Sequence, residues 1–181
     1  SGNVSFYNQT KDIGIKPTPA IGGVGFIKNY KKMITMDFKE IDNIILVIGK
    51  TEGHIDQSLL SRIILNEKNG PPPEVNLFNE KNNGLTLLNL IEKNFIKSAH
   101  DVSLGGIITA ISKMCIQGNK GIEFNKFKFL KSDIEYLFSE DQGRYIIEID
   151  SKDLKKVKDV LEKNSVHYDE LGKIIDKFMI L

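Results

Sequence analysis

The chain has 181 residues, enough for one domain or one domain plus part of another. Hydrophobic residues at 40% and charged residues at 27% are ordinary for a globular protein, which argues against a disordered or fibrous chain. The formal net charge of +1, with lysines interspersed among acids, gives no electrostatic basis for binding nucleic acid or an anionic membrane.

In chain order, residues 3–10 read as a short helix with Ser1 or Asn3 near its cap. Pro17 and Pro19 then enforce an extended path. Ile21, Val24 and Phe26 in PTPAIGGVGFI predict a glycine-punctuated strand. Tyr30 to Phe38 reads as a turn with a short strand, and a domain boundary is expected near Asp37 to Lys39. Ile44 to Ile48 is a continuous apolar run ended by Gly49, as expected of a strand covered on both faces. Gln57 to Leu65 reads as a helix, and NEKNGPPP over 66–73 breaks it. Asn76 to Phe95 reads as a helix with Leu85, Leu88, Ile91 and Phe95 spaced for one face, weakened by Gly84. Lys97 to Val102 predicts a strand, and Gly105–Gly106 opens a helix over Ile107 to Gln117. GIEFNKF reads as a strand, and Ser132 caps a helix reaching Phe138. GRYIIEID alternates like a strand, Leu154 to Asn164 is an amphipathic helix, and Tyr168 to Leu181 closes with turn and strand. Interleaved strands and helices predict layered mixed α/β structure with a mixed sheet.

Cys115 is the only cysteine. It cannot form an internal disulfide, and it lies in the apolar helical run IITAISKMCI, so it reads as a buried structural thiol in a reducing compartment. No run of 18 apolar residues and no signal peptide is present, which predicts a cytoplasmic chain with no membrane partner.

Three stretches carry chemistry. In SGNVSFYN, the start of a helix favours an anion, Gly2 lets a phosphate approach, Asn3 offers a neutral oxygen suited to Mg²⁺, and Ser5 offers a hydroxyl to substrate. An ordinary capped helix is the competing reading. In SAHDVSLGGI, His100 and Asp101 stand at a strand end before a helix, where layered α/β folds place ligands. Equally, Asp101 and Ser103 can simply cap the turn and helix. No nucleophile completes a triad, and the spacing of His54, His100 and His167 fits no familiar metal site. In LFSEDQGRYIIEID, Arg144 can pair with Glu140 or Asp141 as a structural ion pair, or meet an anion. Only one other arginine, Arg62, is present.

The order SGNVSFYN, PTPAIGGVG, a strand ending VIG, GPPP, AHDVSLGG and LFSEDQGRY resembles the synthetase subunits of phosphoribosylformylglycinamidine synthase. These belong to the aminoimidazole ribonucleotide synthetase superfamily. The resemblance covers nearly the whole chain. It implies that residues 1–38 are the C-terminal segment of a second barrel-forming α+β domain. Residues 39–181 would be a three-layer αβα domain, the last part of a longer polypeptide whose N-terminal part is absent here.

The implied activity is ATP-dependent amidation of formylglycinamide ribonucleotide in purine biosynthesis, with ammonia from glutamine. The implied partners are a glutaminase subunit, a small adaptor subunit and the preceding part of the same polypeptide. By the resemblance, Gly2 is ATP-binding, Asn3 is a Mg²⁺ ligand and Ser5 is substrate-binding. No residue of this chain takes a catalytic role, so the isolated chain is expected to be inactive. Two departures from the family stand out. Leu104 replaces a common acidic residue and Asp56 a common glycine, both at a second, pseudosymmetric site that holds a nucleotide in long relatives. Two alternatives remain at this point: a different ATP-dependent member of the superfamily, such as a selenophosphate or aminoimidazole ribonucleotide synthetase, and a non-catalytic scaffold half.

Overall fold

The computed structural model describes residues 8–15, 21–67, 69–125, 132–177 and 179–180. The chain divides into two compact units, Ser1–Tyr30 and Lys31–Leu181.

The first unit holds a two-stranded antiparallel hairpin, β1 (Asn8–Thr10) and β2 (Ile13–Ile15), joined through Lys11 and Asp12. The helix expected over 3–10 is therefore not formed at 8–10; its residues 3–7 lie outside the described residues. Thr10 and Ile13 form one cross-strand pair, and Lys11 takes a positive φ of 56°, the left-handed conformation that a two-residue hairpin turn needs. The strand expected across Ile21, Val24 and Phe26 is also absent. Residues 21–27 have no sheet partner among the described residues, and those three side chains are 91–105% exposed.

The second unit is built on a six-stranded mixed sheet of order β4-β6-β3-β7-β5-β8. Its strands are β3 (Ile44–Ile48), β4 (Ile96–Asp101), β5 (Gly121–Phe124), β6 (Tyr145–Ile149), β7 (Tyr168–Ile175) and β8 (Met179–Ile180). All neighbours pair antiparallel except β5 with β8. The apolar run of β3 lies at the centre because both of its faces are covered. Ile45 and Val47 pack on one side with Ile107, Ile111 and Met114 of α2 (Gly106–Gly118) and Tyr136 of α3 (Asp133–Phe138). Leu46 and Ile48 pack on the other with Leu90 of α1 (Leu77–Glu92) and Val157 and Leu161 of α4 (Leu154–Lys163). The result is the three-layer αβα arrangement.

Phe38 is 1% exposed within the α2-side core, and its N–H donates to the Met114 carbonyl, so the compact unit takes in residues 31–38 ahead of its central strand. Thr35 forms a single parallel bridge with Ser98 on β4, the remnant of the short strand expected between Tyr30 and Phe38.

Three local expectations change. Gln57 takes a φ of 61°, so the segment after β3 cannot be helical from that residue; it makes only a π-helical turn over Leu60–Ile64. Helix α1 ends at Glu92, with Asn94 at φ 59° stopping it short of Phe95. The face of α1 that meets the sheet carries Asn83, Thr86, Leu87, Leu90 and Ile91, and Phe95 packs on the same cluster, whereas Leu85 and Leu88 are 55% and 57% exposed. The helix carries apolar residues on two sides, and spacing alone cannot say which side the sheet covers. The predicted strand GIEFNKF is formed over Gly121–Phe124, and its last two residues lie outside the described residues.

Candidate functional site

Gly2, Asn3 and Ser5 lie outside the described residues. The described candidate site is the end of the sheet where β3 and β4 finish and β6 begins. Three segments meet there: 49–59 after β3, 101–106 after β4, and 139–144 before β6.

Asp141 is 6% exposed and organises the first segment. Its carboxylate accepts three consecutive backbone N–H groups, from Glu52 and Gly53 on Oδ2 at 3.0 Å each and from His54 on Oδ1 at 3.1 Å. Arg144, 1% exposed, spreads its guanidinium over the same loops. It donates from Nε to the Asp141 carbonyl (3.2 Å), from Nη1 to Thr51 Oγ1 (3.0 Å) and from Nη2 to the Ser139 carbonyl (2.8 Å). Burial pulls its pKa down, opposed by the Asp141 carboxylate 3.8 Å from Nη1. Arginine nonetheless keeps its charge in proteins.

Glu140 Oε1 accepts from the N–H groups of Leu59 and Gly105, both at 2.8 Å, and so ties the β3 loop to the start of α2. Of the two readings open for LFSEDQGR, the geometry selects the structural one. These charges hold loops through charge-assisted hydrogen bonds.

Close backbone approach explains two glycines here. Gly49 has φ 94°, and a Cβ on it would sit 2.7 Å from the Gly143 carbonyl. Gly106 has φ 71°, and a Cβ there would meet the Leu137 and Ser139 carbonyls at 2.6 Å. Side chains at either position would push apart the loops that the acidic pair joins.

At the end of β4, His100 Nδ1 lies 3.0 Å from Asp101 Oδ1, and the Val102 N–H donates to the Arg144 carbonyl. Neither Asp101 nor Ser103 caps α2. Its cap is Gly105 in the left-handed conformation, without a side-chain hydrogen bond. Leu104, which the resemblance places where relatives commonly have an acid, is 62% exposed. Asp56, at the other departure, packs so closely on Gly70 that a Cβ there would lie 2.4 Å from its Oδ2. The three histidines have separate partners: His54 Nε2 meets the Pro71 carbonyl at 2.9 Å, His100 meets Asp101, and His167 meets Asp169 at 3.5 Å. Among the described residues, no three His, Cys, Asp or Glu side chains come together as a metal site.

A polar cleft of about 420 Å³ opens beside this framework, lined in part by Lys50, Glu52, His54, Glu80, Asn83 and Gln142. Lys50 and Glu52 pair at 2.7 Å, and Asn83 donates to the Gly143 carbonyl at 2.9 Å. The lining offers donors and acceptors of both signs, without a nucleophile held against a base.

Sequence reasoning missed Glu148. It lies on β6, is fully buried, and accepts from the N–H groups of Lys39 and Glu40, from Asn43 Nδ2 at 2.6 Å and from Ser98 Oγ at 2.7 Å. A charged residue in an otherwise apolar strand was its only trace in the sequence. Cys115 is 9% exposed, and burial pushes its thiol up to about 11, as expected of an unreactive core cysteine. No helix among the described residues is long and apolar enough to cross a membrane.

Residues 40–180 match the family model for AIR synthase related protein, C-terminal domain. The whole chain is 71% identical to phosphoribosylformylglycinamidine synthase subunit PurL of Pelagibacter ubique and covers 25% of that protein. Among solved structures, T. maritima PurL complexed with FGAR superposes over 83% of this chain and 27% of its own, with TM-score 0.71 at 18% identity. T. maritima PurL complexed with ATP does so over 83% of this chain and 25% of its own, with TM-score 0.64 at 17% identity. The chain spans about a quarter of the length of the curated relatives it matches.

Proposed function

The chain belongs to the AIR synthase related family through its C-terminal domain, and from that premise we propose that it is the closing part of the synthetase subunit of phosphoribosylformylglycinamidine synthase. The observation that carries this reading is the 71% identity to Pelagibacter PurL along the entire chain. The reaction is amidation of formylglycinamide ribonucleotide (FGAR). The amide oxygen attacks the γ-phosphorus of ATP and ADP leaves. Ammonia, supplied from glutamine by a partner glutaminase, then adds to the imidate carbon, and the C–O bond breaks to release phosphate and the amidine. Catalysis of this kind rests on positioning and charge stabilisation.

In this reading Gly2 lets the nucleotide approach the backbone, and Ser5 donates its hydroxyl to the substrate. Asn3 supplies a neutral carbonyl oxygen, a donor that fits Mg²⁺. The metal would offset phosphate charge. All three residues act on a site completed by the rest of the polypeptide, in the cytoplasm, with an adaptor subunit assisting the glutaminase. The 181 residues alone are inactive. Residues 1–38 come from the end of a barrel-forming domain, with 31–38 packed into the flanking αβα unit that residues 39–181 build.

Within this reading the αβα domain acts as scaffold, because Glu140, Asp141 and Arg144 are committed to backbone partners. Substitution in the full-length enzyme tests the site. Asn3→Ala raises the Mg²⁺ concentration for half-maximal rate by about tenfold. Ser5→Ala raises KM for FGAR more than KM for ATP. Unchanged metal dependence in Asn3→Ala would refute its assignment, and an effect of Ser5→Ala confined to ATP would refute the other.

A further inference from the structure

Helix α1 has a second apolar face that stays exposed among the described residues. Leu77, Phe78, Leu85 and Leu88 are 78%, 77%, 55% and 57% exposed. At 3.6 residues per turn they fall within an arc of about 100°, opposite the Asn83, Thr86 and Leu90 side that packs on the sheet. Exposed Lys81 lies in the middle of the arc, and among the described residues no carboxylate pairs with it. Scattered exposed leucines need no explanation, but a stripe on the outward side of a helix whose inward side is already satisfied marks an interaction surface.

We propose that this face docks onto the part of the same polypeptide that precedes residue 1, against an apolar surface that brings an acidic group or carbonyl to Lys81. The occupant follows from length and scale. The relatives are about four times as long as this chain, and the family model that matches is a C-terminal domain, so a large tethered body lies on its N-terminal side. A single helix face is small for a free-standing complex, which buries about 1,200–2,000 Å². It suits an interface within one chain, where the tether holds the surfaces at an effective concentration of about millimolar. The inference rests on reading the chain as part of a longer polypeptide.

The test uses the full-length protein purified without other subunits. Phe78→Cys and Leu88→Cys are introduced singly, and thiol labelling at each introduced site is followed by peptide mass. Lys155→Cys, at an exposed position on α4, is the control. Both α1 cysteines are expected to label at least about tenfold more slowly than the control, because they react only when the interface opens. Labelling at the control rate overturns the proposal. So does protection that fades on dilution, which would indicate a second copy, and so does protection that appears only when separate subunits are added. Intact mass and FGAR-dependent turnover are measured on the same preparation. A natural product of 20.4 kDa would overturn both this inference and the longer-polypeptide reading. An active longer polypeptide with freely labelled α1 would overturn this inference alone.

Discussion

Asp141 shows how one side chain can set a loop. Three successive N–H groups converge on its carboxylate, with Arg144 buried behind it. Asp141→Ala leaves those three donors without their acceptor and the buried guanidinium without its nearest counter-charge, and should destabilise the protein by about 3 kcal/mol in denaturant unfolding. Asp141→Asn keeps one acceptor oxygen and should lose less. A loss below about 1 kcal/mol for the alanine variant would show that water replaces the carboxylate.

Cys115 gives a prediction in pH. Its pKa rises from 9.0 in the unfolded chain to about 11 in the fold, so its contribution to stability is complete below pH 9 and is lost as pH climbs through about 11. Tyr136 shifts in the same direction through burial and the Asp169 carboxylate. Alkaline unfolding curves of Cys115→Ala and the parent should therefore converge over that window. A constant gap between them would contradict the shift.

At the scale of elements, α1 offers the sharpest test. Gly84 lies in its interior, and a Cβ there would meet only the Tyr145 hydroxyl, at 3.6 Å. Gly84→Ala should stabilise the fold by about 0.5–1 kcal/mol, since alanine loses less backbone entropy in a helix. Gly118→Ala should do the reverse, because its Cβ would lie 2.5 Å from the Phe38 carbonyl oxygen. Thermal melts of the two variants must move in opposite directions.

Elements with a strong local cause were legible in the sequence: β3 from its unbroken apolar run, α3 from its Ser132 cap, α4 from its amphipathic spacing. Features decided by distant partners were not. The hairpin at 8–15 depends on cross-strand pairing, and the inward face of α1 depends on where the sheet lies. The Glu148 cluster joins residues more than a hundred positions apart in sequence. The LFSEDQGR stretch was legible as a place of importance. Its role as an internal clamp needed the loops it binds.

For the whole molecule, the described framework and the proposed chemistry occupy different parts of the chain. The six-stranded sheet has helices on both faces and apolar clusters on either side of β3. The residues proposed to meet ATP, Mg²⁺ and substrate all lie in the first five positions. On the proposed function, an active site is completed only when the rest of the polypeptide is present. The direct measurement is FGAR-dependent phosphate release from ATP, with ammonia supplied, by the full-length protein and by the 181-residue chain side by side. Turnover by the full-length protein, abolished when FGAR is omitted, with none from the 181 residues, is the predicted result. Turnover by the 181 residues alone, or a full-length protein whose ATP hydrolysis ignores FGAR, would contradict the account.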